Sequence, residues 1–203
     1  VAEAVEAVGG MLNASTSYET TAYYARVTAE HVPFALDLIA DIVFLPHWAP
    51  EDLEKEKLVV AQERAEAADA PDDHVFELHH GALYAGQALG RPILGDEKSV
   101  RGLSVASLQA FRDAHLSPER LVVSLAGAFD RPAVLEALQR RYGELAPGAE
   151  AACPPARPQA GVAQQARKVE QTHLVLSWPA PAMGSDLRPA ARLLAEIFGG
   201  GMS

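Results

Sequence analysis

Two glutamates on one predicted helix have a spacing that suits a metal site. Glu56 and Glu63 lie seven positions apart within residues 53–67. Because a helix turns about 100° per residue, seven steps return to nearly the same face, about 10 Å further along the axis. One carboxylate can then bind a metal ion while the other supports it. A solvated, charged helix face is the competing interpretation, and for an arbitrary glutamate pair it is the more frequent one.

The helix with these glutamates follows a small predicted sheet and a core helix. Residues 11–17 and 20–28 are rich in Thr, Tyr and Val around a polar turn, which predicts an antiparallel pair of strands. Apolar residues at helical spacing predict a packed helix over residues 32–45. The glutamate helix should run from about Pro50, a favourable first-turn residue, to about Ala68.

The sequence pattern of the remaining residues predicts further helices, two strands and a linker. Each element has its own signal, a capping residue, an apolar run or a proline-rich composition. The predictions are a helix over 75–84, a Gly-rich loop to Gly95, a helix from the Ser104 cap to His115, a doubly buried strand over 121–126, a helix from the Asp130 cap to about Tyr142, a linker near 146–168, a strand over 172–178 and a helix over 187–198. This order predicts an α+β fold, with a nearly complete unit at 1–145, a linker at 146–169 and the start of a second unit at 170–203.

The composition and charge of the chain argue against some classes of binding partner. The 203 residues are 49% hydrophobic and 22% charged, which is typical of a globular protein. A formal charge of −10 and a pI near 5.1 argue against a nucleic-acid or anionic-membrane surface, and no stretch is as long as a membrane span. Cys153 is the single cysteine of the chain, so no internal disulfide and no thiolate metal cluster can form.

Five ordered segments share the features of a known family. They are residues 8–17 (VGGMLNASTS), 20–26 (TTAYYAR), 53–64 (LEKEKLVVAQER), 89–95 (LGRPILG) and 197–203 (IFGGGMS). Each is weak alone, but in this order and spacing the chain resembles the pitrilysin and mitochondrial processing peptidase family of zinc metallopeptidases. Bacterial members with processing-peptidase-like halves look most similar.

The resemblance implies a fold, a reaction and a set of roles. Family members fold as two related α+β halves, each an antiparallel-rich sheet with packed helices, and hydrolyse extended peptides in the cleft between them. Glu63 matches the distal zinc ligand, and Glu56 matches the acidic position seven residues earlier, which supports catalysis. Asn13 and Ala14 match a strand that pairs with substrate, although a local hydrogen bond at Asn13 is the alternative. Residues 199–201 match a flexible loop at the cleft, although an ordinary helix stop is equally compatible.

One family motif is missing from the chain. No His-x-x-Glu-His occurs in it, and the family places that motif upstream of Val1. We therefore expect an internal fragment of an active parent, with Zn2+ completed by histidines outside this chain and no peptidase activity in the chain alone. Adjacent histidines such as His79 and His80 diverge on a helix and do not substitute. The alternative is a noncatalytic partner subunit of a heterodimeric peptidase; the expected partners are an extended peptide and a second subunit in a homo- or heterodimer.

Overall fold

The computed structural model describes residues 2–148 and 154–200. Helices dominate these residues, and a small antiparallel sheet accompanies them, as the α+β prediction requires. The elements are α1 (Ala2–Glu6), β1 (Met11–Thr16), β2 (Thr21–Arg26), α2 (Val32–Phe44), α3 (Pro50–Asp69), α4 (Pro71–Leu83), α5 (Glu97–Arg101), α6 (Val105–His115), α7 (Arg131–Tyr142) and α8 (Arg188–Ala195). None of these described helices is both long and apolar enough to cross a membrane.

The chain divides into two compact units. The first comprises Val1–Asp69 and Arg91–Pro155, and the second comprises Ala70–Gly90 and Ala156–Ser203. Each unit is therefore assembled from two separate stretches of sequence. The boundaries predicted from the sequence, at residues 145 and 169, remain predictions.

An N-terminal helix end and a hairpin begin the first unit. Gly9 has a φ of +68°, as expected for a glycine that closes a helix. β1 and β2 pair antiparallel from Met11 opposite Arg26 to Thr16 opposite Thr21, which confirms the predicted strand pair. Val5 of α1 is fully buried, and a Cβ on Gly10 would come within 3 Å of its side chain. Glycine is thus required where the chain passes from α1 into β1.

The core of the first unit forms between α2 and α7. Leu36 on α2 is buried with Val134 and Ala137 on α7. Four partly buried side chains pack against this cluster: Val32, Leu125, Phe129 and Leu138. Asp130 begins α7 by accepting a hydrogen bond from the amide of Ala133, as predicted. The apolar period of residues 32–45 therefore does mark a core helix.

Capping explains where two further helices begin. Ser104 and Ser107 form a reciprocal capping box at the start of α6, which confirms the predicted cap. Asp96 and Ser99 form the same arrangement at the start of α5. The helix α5 was not predicted, since no element was expected between the end of the Gly-rich loop at Gly95 and the cap at Ser104.

Two predicted strands are wrong. Neither residues 121–126 nor residues 172–178 pair with any strand that the structure describes. The prediction that residues 121–126 are buried on both faces also fails, since Val122 is 89% exposed. The physical reason is that an apolar run becomes a strand only where another strand satisfies its backbone N–H and C=O groups. Neither run is paired in this way within residues 2–148 and 154–200.

The second unit contains α4, the segment from residue 156 and α8. Gln87 and Arg157 exchange two hydrogen bonds, and the amide of Gln159 donates to the carbonyl of Leu83 at 2.8 Å. Residues near the predicted linker therefore contact the end of α4. Pro71 begins α4 earlier than the predicted residue 75, and α8 occupies most of the predicted helix at 187–198.

Candidate functional site

The helix with the two glutamates is a single uninterrupted α-helix. α3 begins at Pro50, with Glu51 and Asp52 in its first turn, where carboxylates interact favourably with the helix dipole. It continues to Asp69 and has no fully buried residue. Good helix formers such as Ala, Glu, Leu and Lys make up most of this segment. The regular geometry of α3 therefore sets the relative position of Glu56 and Glu63.

Glu56 and Glu63 share one face of α3 and are open to solvent. Both residues are exposed, and the helical rise separates their Cα atoms by about 10 Å. Neither carboxylate makes a hydrogen bond or an ion pair with any residue in the described part of the chain. Their oxygen atoms are thus available to a ligand, although exposure alone does not distinguish a metal ligand from a solvated charge.

The neighbouring charges on α3 are occupied within the helix. Lys55 lies 3.1 Å from Asp52, and Lys57 lies 2.7 Å from Glu54. Gln62 donates a hydrogen bond to Glu66 at 2.9 Å. These i,i+3 and i,i+4 pairs are typical of a solvated helix surface, in contrast to the unpaired Glu56 and Glu63.

Lys57 is a residue that sequence reasoning missed. Its side chain is only 14% exposed, whereas that of Lys55 is 74% exposed. Its ammonium group also donates to the carbonyl of Arg101, the last residue of α5. The motif Asp96-x-x-Ser99 was the available signal for α5, because a residue pair at this spacing can form a capping box.

The described residues fit one ligand of a zinc site. A carboxylate oxygen is a suitable donor for zinc, but catalytic sites use three protein ligands and keep a further position for water. Among residues 2–148 and 154–200, no group of three His, Cys, Asp or Glu side chains is arranged to hold a metal ion. Glu56 and Glu63 are also too far apart along the helix for both to ligate one ion through short bonds.

The histidines of α4 diverge as expected. The rings of His79 and His80 have centroids 6.5 Å apart and are nearly perpendicular. Burial, and then the adjacent His79, lower the pKa of His80 below its ordinary value. His74 is paired differently, with Glu77 at 3.4 Å on one side and a short contact to Gln165 on the other. These rings therefore point to separate partners.

The predicted substrate strand is exposed. Asn13 and Ala14 lie in β1 opposite Tyr24 and Tyr23 of β2, and both are open to solvent. The side-chain oxygen of Asn13 accepts a hydrogen bond from the amide of Ala14 at 2.8 Å. The local bond that was the alternative explanation for Asn13 is thus present. The assignment of Asn13 and Ala14 to substrate binding remains a prediction.

The glycines near the C-terminus lie partly within the described chain. After α8, residues Glu196–Gly200 form a wider helical turn in which Gly199 has an extended φ of 179°. Ile197 and Phe198 are largely exposed in this turn. Gly201, the third glycine of the predicted flexible loop, lies outside the described residues. The loop assignment therefore remains a prediction.

Both parts of the chain match models of one protein family. Residues 1–97 match the family model described as Insulinase (Peptidase family M16), and residues 102–203 match the one described as Peptidase M16 inactive domain. A solved structure described as a peptidase M16 inactive domain from Pseudomonas fluorescens superimposes with a TM-score of 0.66 at 21% identity, over 78% of this chain and 40% of that chain. At this identity, the likeness supports the fold.

Curated relatives share more of the sequence. A Rickettsia felis protein named "Uncharacterized zinc protease" is 35% identical over 204 residues, which cover 100% of this chain and 50% of the relative. A Mycobacterium bovis protein also named as an uncharacterized zinc protease is 35% identical over 213 residues, covering 100% of this chain and 48% of the relative. The chain spans about half the length of these relatives. Together with the two family matches, these similarities confirm the predicted resemblance, and the chain belongs to peptidase family M16.

Proposed function

We propose that this chain is part of a zinc-dependent endopeptidase that cleaves extended peptides, and that Glu63 is its distal zinc ligand. The observation that supports this role is the pairing pattern on α3. Lys55 pairs with Asp52 and Lys57 pairs with Glu54. Glu56 and Glu63, in contrast, share an exposed face without a partner among the described residues. Membership of a family whose relatives are named zinc proteases agrees with it.

Each glutamate has a separate role in this proposal. Glu63 supplies one carboxylate oxygen to the metal, and histidines outside this chain supply the other protein ligands. Glu56, about two turns earlier on the same face, supports the site through its negative charge without binding the ion. The chemistry that zinc supplies when it is bound is polarisation of a water molecule, whose pKa falls toward neutrality.

The strand β1 positions the peptide in this proposal. Its exposed residues Asn13 and Ala14 offer backbone groups to an extended chain, which is recognition by strand addition. The amide of Ala14 already donates to the side chain of Asn13. A peptide that pairs at Ala14 must therefore displace the Asn13 side chain, so Asn13 competes with substrate for this amide and helps to select peptides that bind along the whole strand.

The decisive experiment measures zinc in the intact gene product that contains this chain. Glu63→Gln keeps the size of the side chain but removes its charge, so we expect a loss of zinc affinity of about tenfold or more. Glu56→Gln should lower peptide cleavage while losing much less metal. The matched control is Glu66→Gln, an exposed glutamate of the same helix that is bonded to Gln62. Competition with a chelator gives the affinities.

Three outcomes would change the proposal. Zinc affinity in Glu63→Gln equal to that in Glu66→Gln would refute the ligand assignment. A wild-type gene product that binds no zinc and cleaves no extended peptide would favour the alternative, a noncatalytic partner subunit of a heterodimeric peptidase. Unchanged cleavage in Glu56→Gln would reduce Glu56 to a surface charge.

A further inference from the structure

A short helix lies against the part of α3 that contains the two glutamates. α5 (Glu97–Arg101) packs against α3 within the first unit. Its five residues are too few to form a stable helix alone, and the capping box of Asp96 and Ser99 stabilises its start. Two cationic residues of α3 interact with this helix: Lys57 contacts its C-terminal end, and the charge of Arg64 acts on Asp96 at its N-terminal cap.

Lys57 is bound at the C-terminal end of α5. Its ammonium nitrogen lies 3.3 Å from the carbonyl oxygen of Arg101 and 2.7 Å from the carboxylate of Glu54. The last carbonyl groups of a helix have no partner within it, and a cation there also interacts favourably with the helix dipole. Because the Lys57 side chain is only 14% exposed, this contact is screened by solvent far less than that of Lys55, which is 74% exposed.

Arg64 lies near the N-terminal end of α5. The capping residue Asp96 accepts a hydrogen bond from the amide of Ser99 at 2.8 Å. This bond chiefly lowers the pKa of Asp96, and the guanidinium of Arg64 lowers it further by a smaller amount. The chain enters this cap through Gly95, whose φ is +66°. Both the turn and the cap therefore hold the start of α5 beside Arg64.

The anchors and the glutamates have the same spacing. Lys57 directly follows Glu56, and Arg64 directly follows Glu63, so both pairs repeat after seven residues. Adjacent residues on a helix are rotated by about 100°, which gives α3 a glutamate stripe and a neighbouring cationic stripe. Since Lys57 of the cationic stripe is held at the C-terminal end of α5, this contact restrains rotation of α3 and with it the direction in which the glutamate stripe points.

We propose that α5 is a brace that sets the orientation of α3, and that Lys57 is a positioning residue for Glu56 and Glu63. Lys57 touches neither the metal nor the peptide and acts through the helix on which the carboxylates lie. This inference rests on the proposed role of Glu63 as a zinc ligand. It adds a residue and an element, α5, to the machinery of that site.

The test uses three variants of the intact gene product. Lys57→Met removes the charge and keeps the length of the side chain, and Lys57→Arg restores a cation that can reach the carbonyl of Arg101. Lys55→Met is the matched control, because Lys55 has the same i,i+3 pairing but remains exposed. Hydrogen exchange of residues 97–102 reports the brace, and chelator competition reports zinc affinity.

We expect Lys57→Met to speed exchange in residues 97–102 and to weaken zinc binding by about fivefold, less than the loss of a group bonded directly to a ligand. Lys57→Arg should restore both, and Lys55→Met should change neither. Faster exchange with zinc affinity equal to that of Lys55→Met would overturn the positioning role, because a merely structural contact would give that result. If Glu63→Gln retains zinc, the proposed ligand fails separately, and exchange that is equal in Lys57→Met and Lys55→Met overturns the brace itself.

Discussion

Arg141→Met should destabilise the first unit by removing the clamp, that is, the two ion pairs that Arg141 of α7 forms with Asp37 and Asp41 of α2. The Arg141 guanidinium lies 2.9 Å from the carboxylate of Asp37 and donates to that of Asp41 at 2.6 Å. Its side chain is still 31% exposed, so each ion pair should contribute only about 0.5–1 kcal/mol. Removing it also leaves two carboxylates four residues apart on α2, which repel by about 0.3–0.5 kcal/mol. We therefore expect the free energy of unfolding to fall by about 1.3–2.5 kcal/mol.

Arg140→Met is the control for this prediction. Arg140 is the preceding residue of α7 and is exposed, and it forms no ion pair with a residue in the described ranges, so its loss should cost less than about 0.5 kcal/mol. Urea unfolding followed by circular dichroism measures both variants, and 1 M salt should roughly halve the effect at Arg141. A double-mutant cycle with Asp41→Asn isolates the coupling between the two side chains. Equal losses for Arg140→Met and Arg141→Met would refute the clamp.

Two further predictions concern the same core. Leu36→Ala should lower the free energy of unfolding by about 2–3 kcal/mol, the lower part of the range for such truncations, because partly exposed neighbours can relax into the space. Leu45→Ala is the control and should change the free energy little, since Leu45 is 72% exposed whereas Leu36 is 7% exposed. Urea unfolding checks this pair, and similar losses would contradict the assigned core. Burial, with a smaller effect of Asp37, raises the pKa of Tyr142 above its ordinary 10.0 against the opposing effect of Arg141. The neutral phenol therefore contributes stability that is present below pH 10 and is lost as the pH rises through the raised pKa of Tyr142. Tyr142→Phe should flatten this alkaline loss of stability. The same alkaline profile in Tyr142→Phe and the wild type would contradict the prediction.

Helices were predictable where their signals are local. Ser104 and Asp130 cap α6 and α7 through bonds to amides three residues ahead, so a few residues of sequence contain the whole interaction. The period of residues 32–45 likewise selected a core helix, although the most buried side chains include the small Ala35 and Ala40 beside Leu36. Small residues give a weak signal in a hydrophobic pattern, so the burial of Ala35 and Ala40 was not evident from the sequence.

Strands were predictable only where both partners are near in sequence. β1 and β2 are joined by a short turn in which Ser17 and Thr20 exchange hydrogen bonds, so the sequence that forms one strand also supplies its partner. Residues 121–126 and 172–178 have apolar patterns of the same quality but depend on a distant edge. A pattern of side chains states where a segment can be buried and contains no information about which backbone will pair with it.

The glutamates of α3 show the same division between local and distant information. Their shared face follows from helical periodicity alone, and α3 confirms that both lie on one uninterrupted helix. In the proposed arrangement, the direction in which that face points depends on α5, which begins 34 residues after Glu63 and was not predicted. A carboxylate becomes a metal ligand only when its helix is held so that the oxygen meets the other ligands, and zinc tolerates little error in such distances. Lys57 is of a residue type that predicts only a solvated surface. In the proposed brace, its contact with α5 holds α3 in the orientation in which Glu63 can bind a metal ion instead of remaining a surface charge.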